Sequence, residues 1–174
     1  MNQTALLVID IQEGILQRQV YRGQEIIKNI NRLIEYFHSL HLPVFYFRHA
    51  NQSFLQRNSN GWQLCGELIM NETDIILDKE HSSVFKENAF QSMLDDKHID
   101  NIVITGLVTN GCVQAACTDG IKLGYSINLI SDAHSTFHND ADQLIKEWNQ
   151  KLQSEGIHVM TTDEYLKDFI HKQK

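Results

Sequence analysis

Apolar residues fall into short solid runs that alternate with helically spaced stretches. Ala5 to Ile9 is unbroken and ends at Asp10, the pattern of a strand covered on both faces, as in a parallel sheet. Ile26, Ile27, Ile30, Leu33, Ile34 and Phe37 recur at helical spacing, and Pro43 opens a second run, Val44 to Phe47. A polar stretch from His49 to Gly61 reads as loop, with Phe54 and Trp62 as large apolar groups inside or beside it. Ile75 to Leu77 reads as a third strand, interrupted at Asp78 and Lys79. Ala89, Phe90, Met93 and Leu94 predict a helix leading into a strand from Ile102 to Thr105. GLVTNGCV is then a tight passage into a helix from about Cys112 to Leu123, closed by Gly124. A strand from Tyr125 to Ile130, a helix around Leu144 to Leu152, a strand from Ile157 to Met160 and a helix around Glu164 to Ile170 complete the pattern.

Alternation of this kind predicts an α/β fold, and its expected form is a doubly wound, three-layer α/β/α sandwich around a mostly parallel six-stranded sheet, with the strand order taken as 3-2-1-4-5-6. The 174 residues are expected to form a single domain over 1–174, with no linker or internal repeat. Hydrophobic residues are 42% and charged ones 21%, which excludes a disordered or fibrous chain. A net charge of −7 argues against nucleic acid or an anionic membrane as partner, since an acidic surface gains nothing from counterion release. No apolar run approaches the roughly 20 residues that span a bilayer, and MNQTALLVIDIQ carries no basic leader, so a cytoplasmic protein is expected. Cys65, Cys112 and Cys117 are an odd set, which suits free thiols in a reduced compartment better than a disulfide framework.

In an open parallel sheet, functional groups gather at the carboxyl ends of the strands, near the point where strand order reverses. Asp10, Lys79 and Cys112 all occupy that rim in the predicted order, with Lys79 starting roughly 10 Å away, a gap its long stem can cross. The three types make chemical sense together. A thiolate is the nucleophile, a helix start and Lys79 both favour ionisation of Cys112, and Asp10 can take the thiol proton and return it to a leaving group. Backbone amides of the Asn110-Gly111-Cys112 turn can face a developing oxyanion, which together describes acyl transfer.

Blander readings stand beside these. Asp10 can be a strand-end cap, Lys79 a solvated loop charge, and Cys112 a small core residue. Glycine before Cys112 and a strand upstream favour presentation of the thiol over burial. Cys117 lies about 140° further round a helix, so it and Cys65 are assigned to packing, and no CxxC pair exists. His134 and His138 are four residues apart, as paired metal ligands are, but SDAHSTFHND reads as the loop after the fifth strand and offers no third ligand. Asp96 and His98 precede a strand, on the far rim. Phe54, Trp62, Phe85 and Phe137 can line an apolar pocket over Cys112, anchor loops, or make oligomer contacts.

The residues resemble a small member of the isochorismatase-like cysteine hydrolase family across nearly the whole length. The matching pieces are VIDIQ at 8–12, RHAN at 48–51, NGW at 60–62, KEHSSVF at 79–85, GLVTNGCV at 106–113 and LGYSINLISDAHST at 123–136. The resemblance implies a catalytic triad of Asp10, Lys79 and Cys112 and a nucleophile turn of Val108, Thr109 and Gly111, with a cis peptide at Val108-Thr109. It implies that Gln12 orients Asp10 or the nearby backbone; Asn51, Phe54, Trp62 and Phe137 are candidate pocket or supporting residues on their types and positions. Nicotinamidase-like members carry an Asp-x-His and a further His for a metal; FYFRHANQSF lacks both, so no metal and no cofactor are expected. Vinyl-ether hydrolases of the family can lack the cysteine, so Cys112 favours an amide, imide or carbamoyl substrate. The resemblance also implies a homodimer or larger assembly. A non-catalytic module sensing a metabolite or oxidant, and a vinyl-ether hydrolase, are the alternatives.

Overall fold

A computed structural model describes residues 3–172. Six parallel strands, β1 (Gln3–Ile9), β2 (Val44–His49), β3 (Ile75–Lys79), β4 (Ile99–Leu107), β5 (Ser126–Ser135) and β6 (His158–Met160), form one sheet. Their order is β3-β2-β1-β4-β5-β6, the doubly wound arrangement that the sequence pattern implies. Helices α1 (Glu13–Leu16), α2 (Gly23–Ser39), α3 (Asn88–Asp96), α4 (Gln114–Lys122), α5 (Ala141–Ser154) and α6 (Thr162–Lys172) connect or follow them. None of the described helices is long and apolar enough to cross a membrane.

The unbroken apolar run of β1 follows from this layering. Leu6 and Val8 face a core completed by Ile26, Ile30, Leu33 and Phe37 of α2 and Tyr165 of α6. Ala5, Leu7 and Ile9 face the opposite core, with Phe90 of α3, Ala116 and Cys117 of α4 and Leu152 of α5. A strand with both faces covered has no polar side to alternate with.

Several elements differ from the sequence-based expectation, β4 among them, which runs from Ile99 to Leu107. β3 does not stop at Leu77: Arg48 pairs with Asp78 and His49 with Lys79, so two charged residues complete the strand. Arg48 Nε donates to Asp78 Oδ1 at 2.7 Å, which supports a charged strand end that hydrophobicity alone argues against. β5 continues past Ile130. Its register jumps from the Ile104–Leu129 pair to the Gly106–His134 pair, so a bulge absorbs the polar residues and puts the expected loop residue His134 on the strand. α1 is a single turn, too short for any periodicity to show.

β1 and β4 are neighbours at the place where strand order reverses. Gly106 opposite Ile9 makes their close approach possible: it has φ of 120°, and a Cβ there would lie 2.1 Å from the Ile9 carbonyl oxygen.

Candidate active site

Asp10 leaves β1 in a left-handed conformation, φ 53°, and its amide donates to Phe47 O at 3.1 Å. That turn points a carboxylate along the strand-end rim in a nearly sealed setting, 1% exposed. Lys79 ends β3, also 1% exposed, and its ammonium reaches across β2. Nζ donates to Asp10 Oδ2 at 2.9 Å and to Cys112 Sγ at 3.2 Å, with His81 O at 3.2 Å and His49 Nδ1 at 3.3 Å. The structure therefore brings Asp10, Lys79 and Cys112 together, as the rim placement predicts.

Burial opposes the charge on Lys79, but the attractions of Asp10 and Cys112 outweigh it and hold the ammonium above its ordinary range. His49 is held neutral by burial and by Lys79, so Nδ1 is an acceptor for the ammonium. The sulfur behaves differently from the expectation of a resting thiolate. Burial first and the Asp10 carboxylate second push the Cys112 thiol up to about 12, against a smaller downward pull from Lys79. Cys112 thus rests as a partly exposed thiol beside a base, and Asp10 Oδ1 has no hydrogen-bond partner among the described residues.

One donor atom each from Asp10, His49 and Cys112 lie within 4.8 Å of one another, a set of types that can hold a metal. The residues do not fit one. Lys79 Nζ sits within hydrogen-bonding distance of all three, in the position a cation would take.

Cys112 lies in a wide turn, Thr109–Val113, that precedes α4; the expected helix start at Cys112 is displaced to Gln114. Gly111 breaks the helical path with φ −129° and ψ −110°. Val108 O accepts from Gly111 N at 3.0 Å and from Val113 N at 3.3 Å. The Gly111 amide is thereby engaged and unavailable to an oxyanion, contrary to its assignment from sequence. The cis peptide lies at Leu107-Val108, one residue earlier than the resemblance implies.

Gln12 does not touch the Asp10 carboxylate. Its Nε2 donates to His49 O at 3.0 Å and Trp62 O at 2.8 Å, and its Oε1 accepts from His49 N at 2.8 Å, so it clamps the backbone of the neighbouring strand end and loop. Asn51 Oδ1 accepts from the amides of Ser53 and Leu55, which folds the 51–55 loop upon itself. Trp62 is buried, with the Arg48 guanidinium 3.7 Å from its ring centre and no partner for its indole N–H among the described residues. Phe54 and Phe137 are exposed and flank the Arg18 guanidinium at 3.8 and 5.4 Å. Phe85 is no pocket residue: it packs with Phe90 and Tyr125 in the core.

Cys65 and Cys117 are buried, in keeping with packing roles. His134 and His138 do not pair. Both ring nitrogens of His134 are engaged, by Thr109 and Asn149, and His138 Nδ1 accepts from Asp140 N. His49 and His134 escaped the sequence reading as site residues. The available signal for His49 was its place at the end of the second strand, one strand from Lys79.

Residues 4–167 match the isochorismatase domain. The chain is 25% identical over 182 residues to the uncharacterized isochorismatase family protein YrdC of Bacillus subtilis, covering 95% of this chain and 96% of that one. It is 28% identical over 171 residues to the ureidoacrylate amidohydrolase RutB of Acinetobacter baylyi, covering 75% of this chain and 70% of the relative. A solved cysteine hydrolase from Pseudomonas syringae pv. phaseolicola superposes with a TM-score of 0.87 at 23% identity, over 95% of this chain and 91% of that one, which shows a shared fold.

Proposed function

The chain belongs to the isochorismatase family of hydrolases, and we propose that it cleaves a C–N bond of a small amide, imide or carbamoyl compound through a thioester on Cys112. The observation that carries this reading is the Lys79 ammonium bridging a carboxylate and a thiol at 2.9 and 3.2 Å. Amide hydrolysis by a relative, the ureidoacrylate amidohydrolase, supports the same class of bond.

Because the thiol rests protonated, proton removal accompanies attack. Asp10 Oδ1 takes the Cys112 proton as Sγ adds to the substrate carbonyl, while Lys79 stabilises the charge developing on sulfur. The oxyanion is held by turn amides other than that of Gly111, those of Asn110 and Cys112 being nearest in sequence to the sulfur. Asp10, now a carboxylic acid, returns the proton to the departing nitrogen as the C–N bond breaks. It then draws a proton from a water that attacks the thioester, releasing the acid and regenerating the thiol. His49, neutral and bonded to the ammonium, keeps Lys79 aimed at the pair.

The test is a panel of small amides, imides and ureas incubated with the protein, acid-quenched and analysed by peptide mass spectrometry. An acyl or carbamoyl adduct on Cys112 that disappears in Cys112→Ala, together with loss of turnover, is expected. Turnover retained by Cys112→Ala overturns the reading.

A further inference from the structure

Behind the nucleophile turn stands a buried histidine that this chemistry does not use. His134, 2% exposed, lies on β5 opposite Gly106. Its Nδ1 is 2.8 Å from Thr109 Oγ1, and its Nε2 is 2.9 Å from Asn149 Oδ1 on α5. An amide oxygen only accepts, so Nε2 carries the ring proton. Burial keeps the ring neutral, pushing it down to about 4, so Nδ1 is bare and accepts the Thr109 hydroxyl. Each group in the row Asn149, His134, Thr109 then has one permitted orientation.

We propose that Asn149 and His134 are positioning residues that fix the Cys112 turn through Thr109, a role that rests on the hydrolase reading above. Thr109 is fully buried and opens the turn. With its side chain held from β5 and α5, and the Gly111 and Val113 amides tied to Val108 O, the segment presenting Cys112 is pinned at both ends. The device works only with a neutral ring. An imidazolium offers N–H on both sides, Thr109 must turn to accept, and its hydroxyl hydrogen loses its partner in a buried place.

A cavity of about 340 Å³ adjoins the pair and identifies the charges around it. Asp132 comes from β5 itself, Asp142 and Lys146 from α5, Tyr21 and Arg22 from the turn before α2, and Glu25 from α2; Thr109 and Asn149 contribute no charge. Asp132 favours protonation, yet burial prevails.

Alkylation of Cys112 by iodoacetamide reads the presentation of the thiol without a known substrate. The full-length protein and its Asn149→Asp, His134→Leu and His134→Asn variants are compared from about pH 5 to about pH 9, together with kcat and KM for an amide that the wild type turns over. Asn149→Asp places a carboxylate against Nε2 and stabilises the imidazolium. Its alkylation rate and kcat are expected to gain a new ionisation and to fall about tenfold on the acid side, with KM within about twofold. His134→Leu is expected to lose about tenfold at every pH, and His134→Asn, whose amide oxygen can replace Nδ1 as acceptor, to recover most of that. Variants that keep the wild-type pH profile and differ only in melting temperature overturn the proposal and leave a purely structural contact. If His134→Leu does not fold, the Asn149→Asp profile decides alone. A wild-type protein that forms no acyl or carbamoyl adduct on Cys112 and turns over no amide sinks the hydrolase reading and this role with it; an adduct on Cys112 with variants that behave as wild type sinks only this role.

Discussion

Asp10→Asn separates the charge of the carboxylate from its capacity to take a proton. A carboxylate oxygen of Asp10 and Cys112 Sγ lie within 4.8 Å, and the negative charge helps hold the thiol up at about 12. Two unit charges at that distance repel by about 3.5 kcal/mol at the effective dielectric of a protein surface, and by about 0.9 kcal/mol under the full screening of water. At about 1.4 kcal/mol per tenfold, removing the charge lowers the pH midpoint of alkylation by between about half and about two and a half units. Burial, the larger cause, stays in place, so the thiol does not return fully to its ordinary range. The amide cannot accept the thiol proton and pass it on, so hydrolysis falls by about 10² to 10⁴. The variant is therefore more readily alkylated near neutrality and less active, two changes of opposite sign from one substitution. The assay is the rate of iodoacetamide labelling from about pH 6 to about pH 12, where below the midpoint the variant-to-wild-type rate ratio reads the shift directly, followed by peptide mass spectrometry so that Cys65 and Cys117 are counted separately. A midpoint that stays or rises refutes the account of the sulfur's environment, and hydrolysis that survives refutes the account of the base.

Lys79→Met leaves the Asp10 carboxylate buried without its ammonium, which is expected to cost about 3–5 kcal/mol in urea unfolding at neutral pH; a difference below about 1 kcal/mol would show that the pair contributes little to the fold. Gly106→Ala forces a Cβ to within 2.1 Å of Ile9 O at a φ of 120° and is expected to prevent soluble folding or to lower the urea midpoint sharply; a wild-type midpoint would mean that β1 and β4 can separate at no cost. His134 is neutral in the folded chain down to about 4, whereas the unfolded chain protonates it near its ordinary value of 6.5. Stability from this group is therefore fully present above about 6.5 and falls by about 3 kcal/mol as pH drops to about 4, and the His134→Asn variant lacks that segment of the stability–pH curve.

The solid run from Ala5 to Ile9 and the helical spacing from Ile26 to Phe37 are local patterns, and they were enough to define an alternating α/β sandwich; the strand order followed once a doubly wound arrangement was assumed, and the family resemblance singled out Lys79 on the rim where it meets Asp10 and Cys112. Residue type supplied the rest of that reading, since a carboxylate, an ammonium and a thiol at strand ends are complementary wherever they touch. Features created by pairing between distant segments were not legible. Charged Asp78 and Lys79 belong to β3 because His49 and Arg48 of β2 hold them in register, and His134 belongs to β5 because a bulge lets the strand run on beside Gly106. The protonation of the Cys112 thiol was beyond the sequence for a related reason. A helix start and a lysine argue for a thiolate when only neighbours in the chain are counted, whereas the folded site adds burial and a carboxylate within 4.8 Å, and those two together hold the proton on sulfur. Local pattern and residue chemistry thus settled which groups assemble, and only the tertiary structure decided their charge, because desolvation and Coulomb energy depend on what the rest of the chain places around each atom.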